Sequence, residues 1–199
     1  MDKLILTIPT YSHRNQIEQY RANIMQSALI HGVGGLHEMS VAEWLDTSAG
    51  FRDMRESGFV PRTQYIAIRK SDNKIVGSVN LRHELNDNLL RNGGHIGYMV
   101  ATDERQKGYA KEMLRLGLLE CKKLGIERVL VTCKKSNIGS AKTIIANGGV
   151  LENEITLDEN VGGFEHKGEI MQRYWITLCN KKRDEFSSLS TMSGSGDRI

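Results

Sequence analysis

Cysteine is scarce in this chain, and no motif gathers it. Cys121, Cys133 and Cys179 are the three in 199 residues, they stand far apart, and no C-x-x-C occurs. Neither a disulfide framework nor a cysteine zinc site is suggested, and a reducing cytoplasm fits. The six histidines show no H-x-x-x-H spacing, which argues against a protein-built metal site. No apolar run approaches the roughly 18 residues that a membrane-spanning helix needs. The opening Met1-Asp2-Lys3 lacks a signal-peptide pattern. An excess of one charge is missing too: 27 basic and 24 acidic residues leave a net charge of +3, too balanced for a nucleic-acid surface. No internal repeat is visible. These absences point to a cytoplasmic protein with neither nucleic acid nor membrane as a partner.

Two familiar phosphate signatures are also absent. There is no G-x-x-x-x-G-K-[ST], which argues against a P-loop. Gly93-Gly94-His95-Ile96-Gly97 is glycine-rich but enters a strand instead of a helix, so it is not a dinucleotide fingerprint.

What remains is an ordinary globular composition, 39% hydrophobic and 26% charged. It suffices for one substantial core and one domain, expected over residues 1–183. From 187 onward the chain is rich in Ser and Gly, and residues 184–199 read as a disordered tail.

The pattern along the chain predicts alternating elements. Leu4 to Ile8 reads as a strand stopped by Pro9. Asn15 to Leu29 carries helical periodicity through Ile17, Tyr20, Ile24 and Ala28, broken by Gly32, Gly34 and Gly35. Ser40-Val41-Ala42-Glu43 is a capping-box pattern that opens a second helix, with Trp44, Leu45 and Phe51 as its buried side. Thr63 to Arg69 and Lys74 to Arg82 are strands joined by the turn-forming Ser71-Asp72-Asn73. Glu84 to Gly94 reads as a polar loop, and Ile96 to Val100 as the next strand. A long helix to about Leu124 follows, with Ala110, Met113, Leu114, Gly117, Leu118, Cys121 and Leu124 in one apolar stripe and Gly125 just past its end. Buried in that stripe, Cys121 acts as a small hydrophobe. Arg128 to Cys133 is a β-branched strand, Ala141 to Asn147 a short helix, and Val150 to Leu157 with Glu169 to Leu178 a last pair of strands. An excursion from Asp158 to Gly168 links that pair.

The segment richest in chemical meaning is Arg105-Gln106-Lys107-Gly108-Tyr109-Ala110, between the strand ending at Val100 and the long helix. A strand that turns into a helix leaves backbone N–H groups unpaired, at the positive end of the helix dipole. Gly108 lacks a Cβ, so an anion can approach the backbone. Arg105 and Lys107 add charge. The combination suits a pyrophosphate.

R-x-x-G-x-A in this position resembles the acyl-CoA pyrophosphate loop of the GNAT superfamily of N-acetyltransferases, [RQ]-x-x-G-x-[GA]. The five-residue step from Val100 to Arg105, the β-branched strand after the helix, and Asn137-Ile138-Gly139-Ser140 with its short helix are also similar to that family. The likeness covers about residues 60–180. It implies an α/β fold: a mixed, mostly antiparallel twisted sheet with helices on both faces. A splayed cleft would lie between the fourth and fifth strands, those ending at Val100 and near Cys133. It implies acetyl-CoA as co-substrate, with backbone groups of Tyr98, Met99 and Val100 on the pantetheine. Arg105, Gln106, Lys107, Gly108, Tyr109 and Ala110 would hold the pyrophosphate, and Asn137 and Ser140 would lie near the arm. Asn137 also reads as an N-cap.

The resemblance stops short of acid and base. The family often places a Tyr seven residues after the Asn, and here that position is Ile144; it usually reads Gly-Phe where this chain has Gly148-Gly149. Tyr98, Tyr109 and Tyr174 are the substitutes to consider. For the base, Glu84 and His95 are the two candidates, Glu84 slightly preferred; against them stand a solvated loop charge and a hydrogen-bonded structural histidine. The activity implied is acetyl transfer to the primary amine of a small molecule. A non-catalytic acyl-CoA-binding module and a protein N-acetyltransferase are the alternatives, and a homodimer is compatible with each. Glu152, Glu154, Asp158 and Glu159 form an acidic run that would draw a cationic acceptor, unless it is simply solvated.

Overall fold

A computed structural model describes residues 2–27, 30–53, 55–157 and 168–178. Asp158, Glu159, Cys179 and the expected tail at 184–199 lie outside the described residues.

Among the described residues, eight strands form two sheets. In the larger, β1 (Leu4–Thr7), β3 (Arg62–Arg69), β4 (Ile75–Arg82) and β5 (Ile96–Val100) lie in that order, with the short β2 (Gly50–Arg52) also on β3. The smaller has the order β6 (Arg128–Lys134), β8 (Ile170–Thr177), β7 (Val150–Thr156). All strand pairings within both sheets are antiparallel. Side chains alternate across a strand, so each strand serves two layers. On one face Ala67, Val79, Leu81, Ile96 and Val100 pack under the helix α4 (Tyr109–Lys123) through Met113, Leu114, Leu118 and Cys121. On the other, Ile66, Ile68, Ile75 and Met99 meet Ile17, Tyr20 and Ile24 of α1 (Arg14–Ile24) and Val41, Trp44 and Leu45 of α2 (Val41–Thr47). The expected α/β architecture with helices on both faces is therefore present.

The connection between α1 and α2 is held down by its own carbonyls. Gly32 O accepts from Gln64 Nε2 at 3.2 Å and from Ser78 Oγ at 3.1 Å, and Trp44 Nε1 donates to Val33 O at 3.0 Å. Gly32 rests directly on β5: a Cβ there would stand 2.4 Å from the Tyr98 nitrogen. Ser40 caps α2, its Oγ accepting from Glu43 N–H at 3.2 Å, which is the N-cap half of the expected capping box.

Several expectations need correction. Helix α1 ends at Ile24, before Leu29, because Gln26 and Ser27 N–H groups turn back to the carbonyls three residues earlier. Phe51 does not line α2; it belongs to β2 and is 55% exposed. Residues 84–94 contain a short helix, α3 (Asp87–Arg91), capped by Asn86, whose side chain accepts from Leu89 N–H. Leu124 ends the stripe outside the core, 46% exposed at the C-cap of α4. A 3-10 turn at Thr102–Glu104 stands between β5 and the basic segment.

Helix α5 (Ile138–Ile145) buries Ile144 completely. A Cβ on Gly149 would stand 2.4 Å from Ile144 Cγ2 and 2.9 Å from Ile144 O. The isoleucine thus occupies the room that a side chain at 149 would need. Gly149→Ala should destabilise the fold by about 1–3 kcal/mol through overpacking. In an Ile144→Ala background, itself costing about 3 kcal/mol, the same change should cost less. Urea melts of the four variants measure the coupling; equal costs in both backgrounds would separate the two positions.

Candidate active site

The site begins with an unpaired strand edge. Arg82 N–H donates to His95 O at 2.8 Å and Ala101 N–H to Val76 O at 2.9 Å. With Asn80 opposite Gly97 and Ser78 opposite Met99, this parity gives the backbone groups of Gly97 and Met99 to β4. Those of Ile96, Tyr98 and Val100 turn the other way, towards β6. Of the strand residues named from sequence, Tyr98 and Val100 therefore present backbone N–H and C=O at the opening; Met99 presents neither, and its O also accepts from Tyr20 Oη at 3.0 Å.

The opening exists because the two sheets touch at one point. Among the described residues β5 and β6 are joined by a single isolated bridge, Gly94 to Val131. His95 completes the junction: its N–H donates to Leu130 O at 2.7 Å, and its Nδ1 accepts from Leu130 N–H at 2.9 Å. The ring is 7% exposed, and burial, helped by the charge of Arg82, pulls its pKa down to about 4. The neutral ring supplies the lone pair that Leu130 N–H needs where the neighbouring strand departs. Past this junction the strands part.

The edge leads to the basic segment. Gln106 has φ +61° and Gly108 has φ +83°, with the helical residues of α4 following at once. Alternating handedness of this kind turns successive N–H groups into one concavity, and α4 adds its dipole. Among the described residues, the N–H groups of residues 106–110 have no backbone partner. A positive φ on Gln106, a residue with a Cβ, is strain that the surrounding structure must hold in place.

Across the opening, Tyr98 Oη lies 2.8 Å from Ser140 Oγ of α5. Burial pushes the phenol up to about 12, so it stays protonated at neutral pH. Asn137 caps α5, with Oδ1 accepting from Ser140 N–H at 3.0 Å, while Nδ2 has no described partner. The other tyrosines are engaged elsewhere: Tyr109 Oη accepts from Arg69 at 3.2 Å, and Tyr174 Oη donates to Gln172 at 2.8 Å.

The family model of the acetyltransferase (GNAT) domain matches residues 3–150, most of the chain. The chain belongs to the GNAT acetyltransferase family. No curated protein sequence matches significantly. Solved structures do. RimL, a ribosomal-protein alpha-N-acetyltransferase in complex with coenzyme A, shares 16% identity and a TM-score of 0.63 over 88% of this chain and 94% of that one. A ribosomal-protein-serine acetyltransferase from Vibrio cholerae shares 17% and 0.58, over 89% and 95%. A spermidine N-acetyltransferase chimera from Vibrio cholerae shares 13% and 0.59, over 87% and 95%. At these identities the similarity is one of fold.

In this acetyltransferase the charges of the basic segment are not all free. Lys107 Nζ bonds Glu104 at 2.9 Å, and Arg105 reaches Ser27 Oγ at 2.9 Å. Glu104, 3% exposed, also takes Arg69 at 2.8 Å and Lys74 at 2.8 Å, while Asp72 and Asp103 satisfy the outer sides of those cations. Sequence reading missed Glu104, because its significance lies in Arg69 of β3 and Lys74 of the turn before β4, 35 and 30 positions away. The two base candidates are not brought together. Glu84 is exposed and forked onto Arg55 at 3.1 and 3.3 Å, and His95 has its Nδ1 occupied at the junction. The acidic run is likewise answered from within: Glu152 pairs with Arg173 at 2.9 Å, and Glu154 with Lys135 at 2.7 Å.

Burial alone would raise the Glu104 carboxyl; bonds from Lys74, Lys107 and Arg69 bring it down to about 2. A depressed carboxylate stabilises the fold above its ordinary pKa, and that stabilisation is lost as pH falls towards 2. Glu104→Gln leaves three cations around a neutral group and should cost about 3 kcal/mol at pH 7. The gap to wild type should narrow below about pH 4.5. Melting curves between pH 3 and 7 check this; a gap independent of pH would show that the charge is not what stabilises.

Proposed function

We propose that the chain moves the acetyl group of acetyl-CoA to the primary amine of a small molecule, directly, in a ternary complex. One observation carries the reading: the unpaired edge of β5 runs straight into the concavity of N–H groups at the start of α4. An extended arm with amides and a pyrophosphate at its end needs that sequence of contacts. Tyr98 and Val100 would pair with the pantetheine amides. Residues 105–110 would take the pyrophosphate through backbone N–H groups, with Arg105 as the cation not already bound to a carboxylate. Asn137 Nδ2, left over from capping, would donate to the arm.

The chemistry then follows from what each group can do. An N–H on the open edge donates to the thioester oxygen and stabilises charge as it develops there. The amine attacks as the neutral base, and its proton leaves to water, since His95 Nδ1 already holds a proton donor and Glu84 is held by Arg55. The C–S bond breaks, and the thiolate takes a proton from Tyr98 Oη, which Ser140 orients; the solvent that received the amine proton returns one to the phenolate. A thiol pKa near 8.5 makes this help modest. Holding donor and acceptor side by side supplies much of the remaining rate.

Gly108→Glu places bulk and negative charge in the concavity and should abolish CoA binding in calorimetry while the variant stays folded. Unchanged affinity would overturn the reading. Tyr98→Phe should lower kcat about tenfold, less than the hundredfold or more usual for a general acid because the thiolate is a tolerable leaving group, with acetyl-CoA KM nearly unchanged. Thiol release measures it, and an unaltered kcat would remove the hydroxyl from the mechanism.

A further inference from the structure

Three arginines stand in one row across the larger sheet. The register sets Arg52 opposite Arg62 and Arg62 opposite Arg82. Opposed residues of antiparallel strands project from the same face, and like charges so placed repel. The face is the one covered by α1 and α2, because Gln64 and Ser78, two and four positions along β3 and β4, bond Gly32 O there.

The three are answered unequally. Arg52 donates to the carbonyls of Leu45, Asp46 and Thr47 at the end of α2. Arg82 Nη1 donates to Gly93 O and Gly94 O, each at 3.0 Å. Arg62 has a single bond at the 3.5 Å limit, to Ser48 Oγ, and its Nε is buried without a partner. Among the described residues no carboxylate bonds any of the three. Burial and then the Arg52 charge lower the Arg62 pKa; burial and then Arg62 bring Arg82 to about 10. Elsewhere in the described chain, Arg55, Arg69, Arg115 and Arg173 all have carboxylates.

The row ends at the opening. Arg82 Nη1 lies 3.8 Å from the point a Gly97 Cβ would occupy. Gly97 precedes Tyr98, whose backbone faces the cleft; Gly32 packs on Gly97 there, its Cα 3.1 Å from that point, and Arg62 and Arg82 are each only part-buried, so neither guanidinium is closed off from an anion. Donor contacts belong to the β5 edge and the start of α4, on the opposite layer. An amine must approach the thioester from a side that those donor contacts do not use, and the α1–α2 face carries none of them.

We infer that the acceptor amine carries a carboxylate, held by Arg62 and Arg82 on the α1–α2 face of the cleft. A guanidinium offers a carboxylate two parallel donors, and an anion here would relieve the repulsion along the row. The inference rests on the proposed acyl transfer, and it replaces a cationic acceptor, for which the paired Glu152 and Glu154 leave little free charge.

The test compares glycine, β-alanine and γ-aminobutyrate with glycinamide, putrescine and O-phosphoethanolamine, all with acetyl-CoA and read by thiol release. The best carboxylate-bearing amine should exceed glycinamide at least about tenfold in kcat/KM. Arg62→Gln should erase that advantage by raising acceptor KM about tenfold, with acetyl-CoA KM within twofold; Arg62→Lys should retain part of it. Highest kcat/KM for putrescine, glycinamide or O-phosphoethanolamine, or an unaltered ratio in Arg62→Gln, would overturn it. A second arm needs no turnover: sodium malonate is titrated into the CoA-loaded protein by calorimetry. Heat is expected from wild type and its loss from Arg62→Gln and Arg82→Gln, and no heat from wild type overturns the anion site. If CoA binds but no amine is acetylated, acyl transfer fails, and the malonate titration alone decides the arginine site.

Discussion

The separation of β5 from β6 is the constraint on which the rest of the structure depends. A strand edge without a neighbour exposes N–H and C=O groups that must be paired or solvated. Here the edge is kept open in the middle of the molecule, between two sheets that would otherwise be one. The His95–Leu130 junction makes that possible. One ring nitrogen replaces a missing strand partner, so the sheets meet without zipping further. A histidine suits the task because burial keeps it neutral, with an acceptor nitrogen available at ordinary pH. Its part in the molecule is to define where the opening starts.

The other end of the opening is set by electrostatics. The segment before α4 has to keep its N–H groups free and tolerate a positive φ at Gln106, so it cannot be held by its own backbone. It is held by side chains instead. Glu104 draws Lys107 towards Arg69 of β3 and Lys74 just before β4, and three cations with three carboxylates close into a neutral cluster. The division is economical in physical terms: side-chain charge fixes the shape, and backbone dipoles remain for an anion. A basic segment at a helix start therefore need not deliver all its formal charge to a ligand.

Much of this was legible in the sequence, and what was not has physical reasons. Periodicity gave α4, β3, β4, β5 and β6 nearly to the residue, and Ser40 with Glu43 marked the start of α2. Elements too short to show a period were hidden: β2 at Phe51, and α3 inside an apparent polar loop. The R-x-x-G-x-A segment marked the strand-to-helix turn before α4, because such a turn depends on local backbone needs. Glu104 and the arginine row did not show, because each acquires meaning only when distant strands come into register. Arg52, Arg62 and Arg82 are unremarkable cations 10 and 20 residues apart until β2, β3 and β4 align them. At Glu152 and Glu154 the difficulty runs the opposite way, since sequence counts charges and cannot see that Arg173 and Lys135 pair with them.

The two departures from the family pattern in α5 and the turn after it are one departure seen twice. A tyrosine at 144 would have to carry its hydroxyl out to the cleft. Isoleucine instead turns into the core, fully buried, and its Cγ2 takes the space next to residue 149. A glycine must then follow. With the helix committed to packing, a hydroxyl at the opening has to come from elsewhere, and Tyr98 offers one from the facing strand, resting on Ser140 of the same α5. The change moves the phenol from the helix wall to the strand wall while keeping it against that helix. In the reaction proposed above it would also tie acid and donor-binding groups to one residue, because Tyr98 presents its backbone to the open edge and its side chain across it. In the proposed reaction, anything that shifts β5 would disturb both at once, and the contact of Gly32 on the Gly97–Tyr98 peptide, between the α1–α2 connection and that strand, is what resists such a shift.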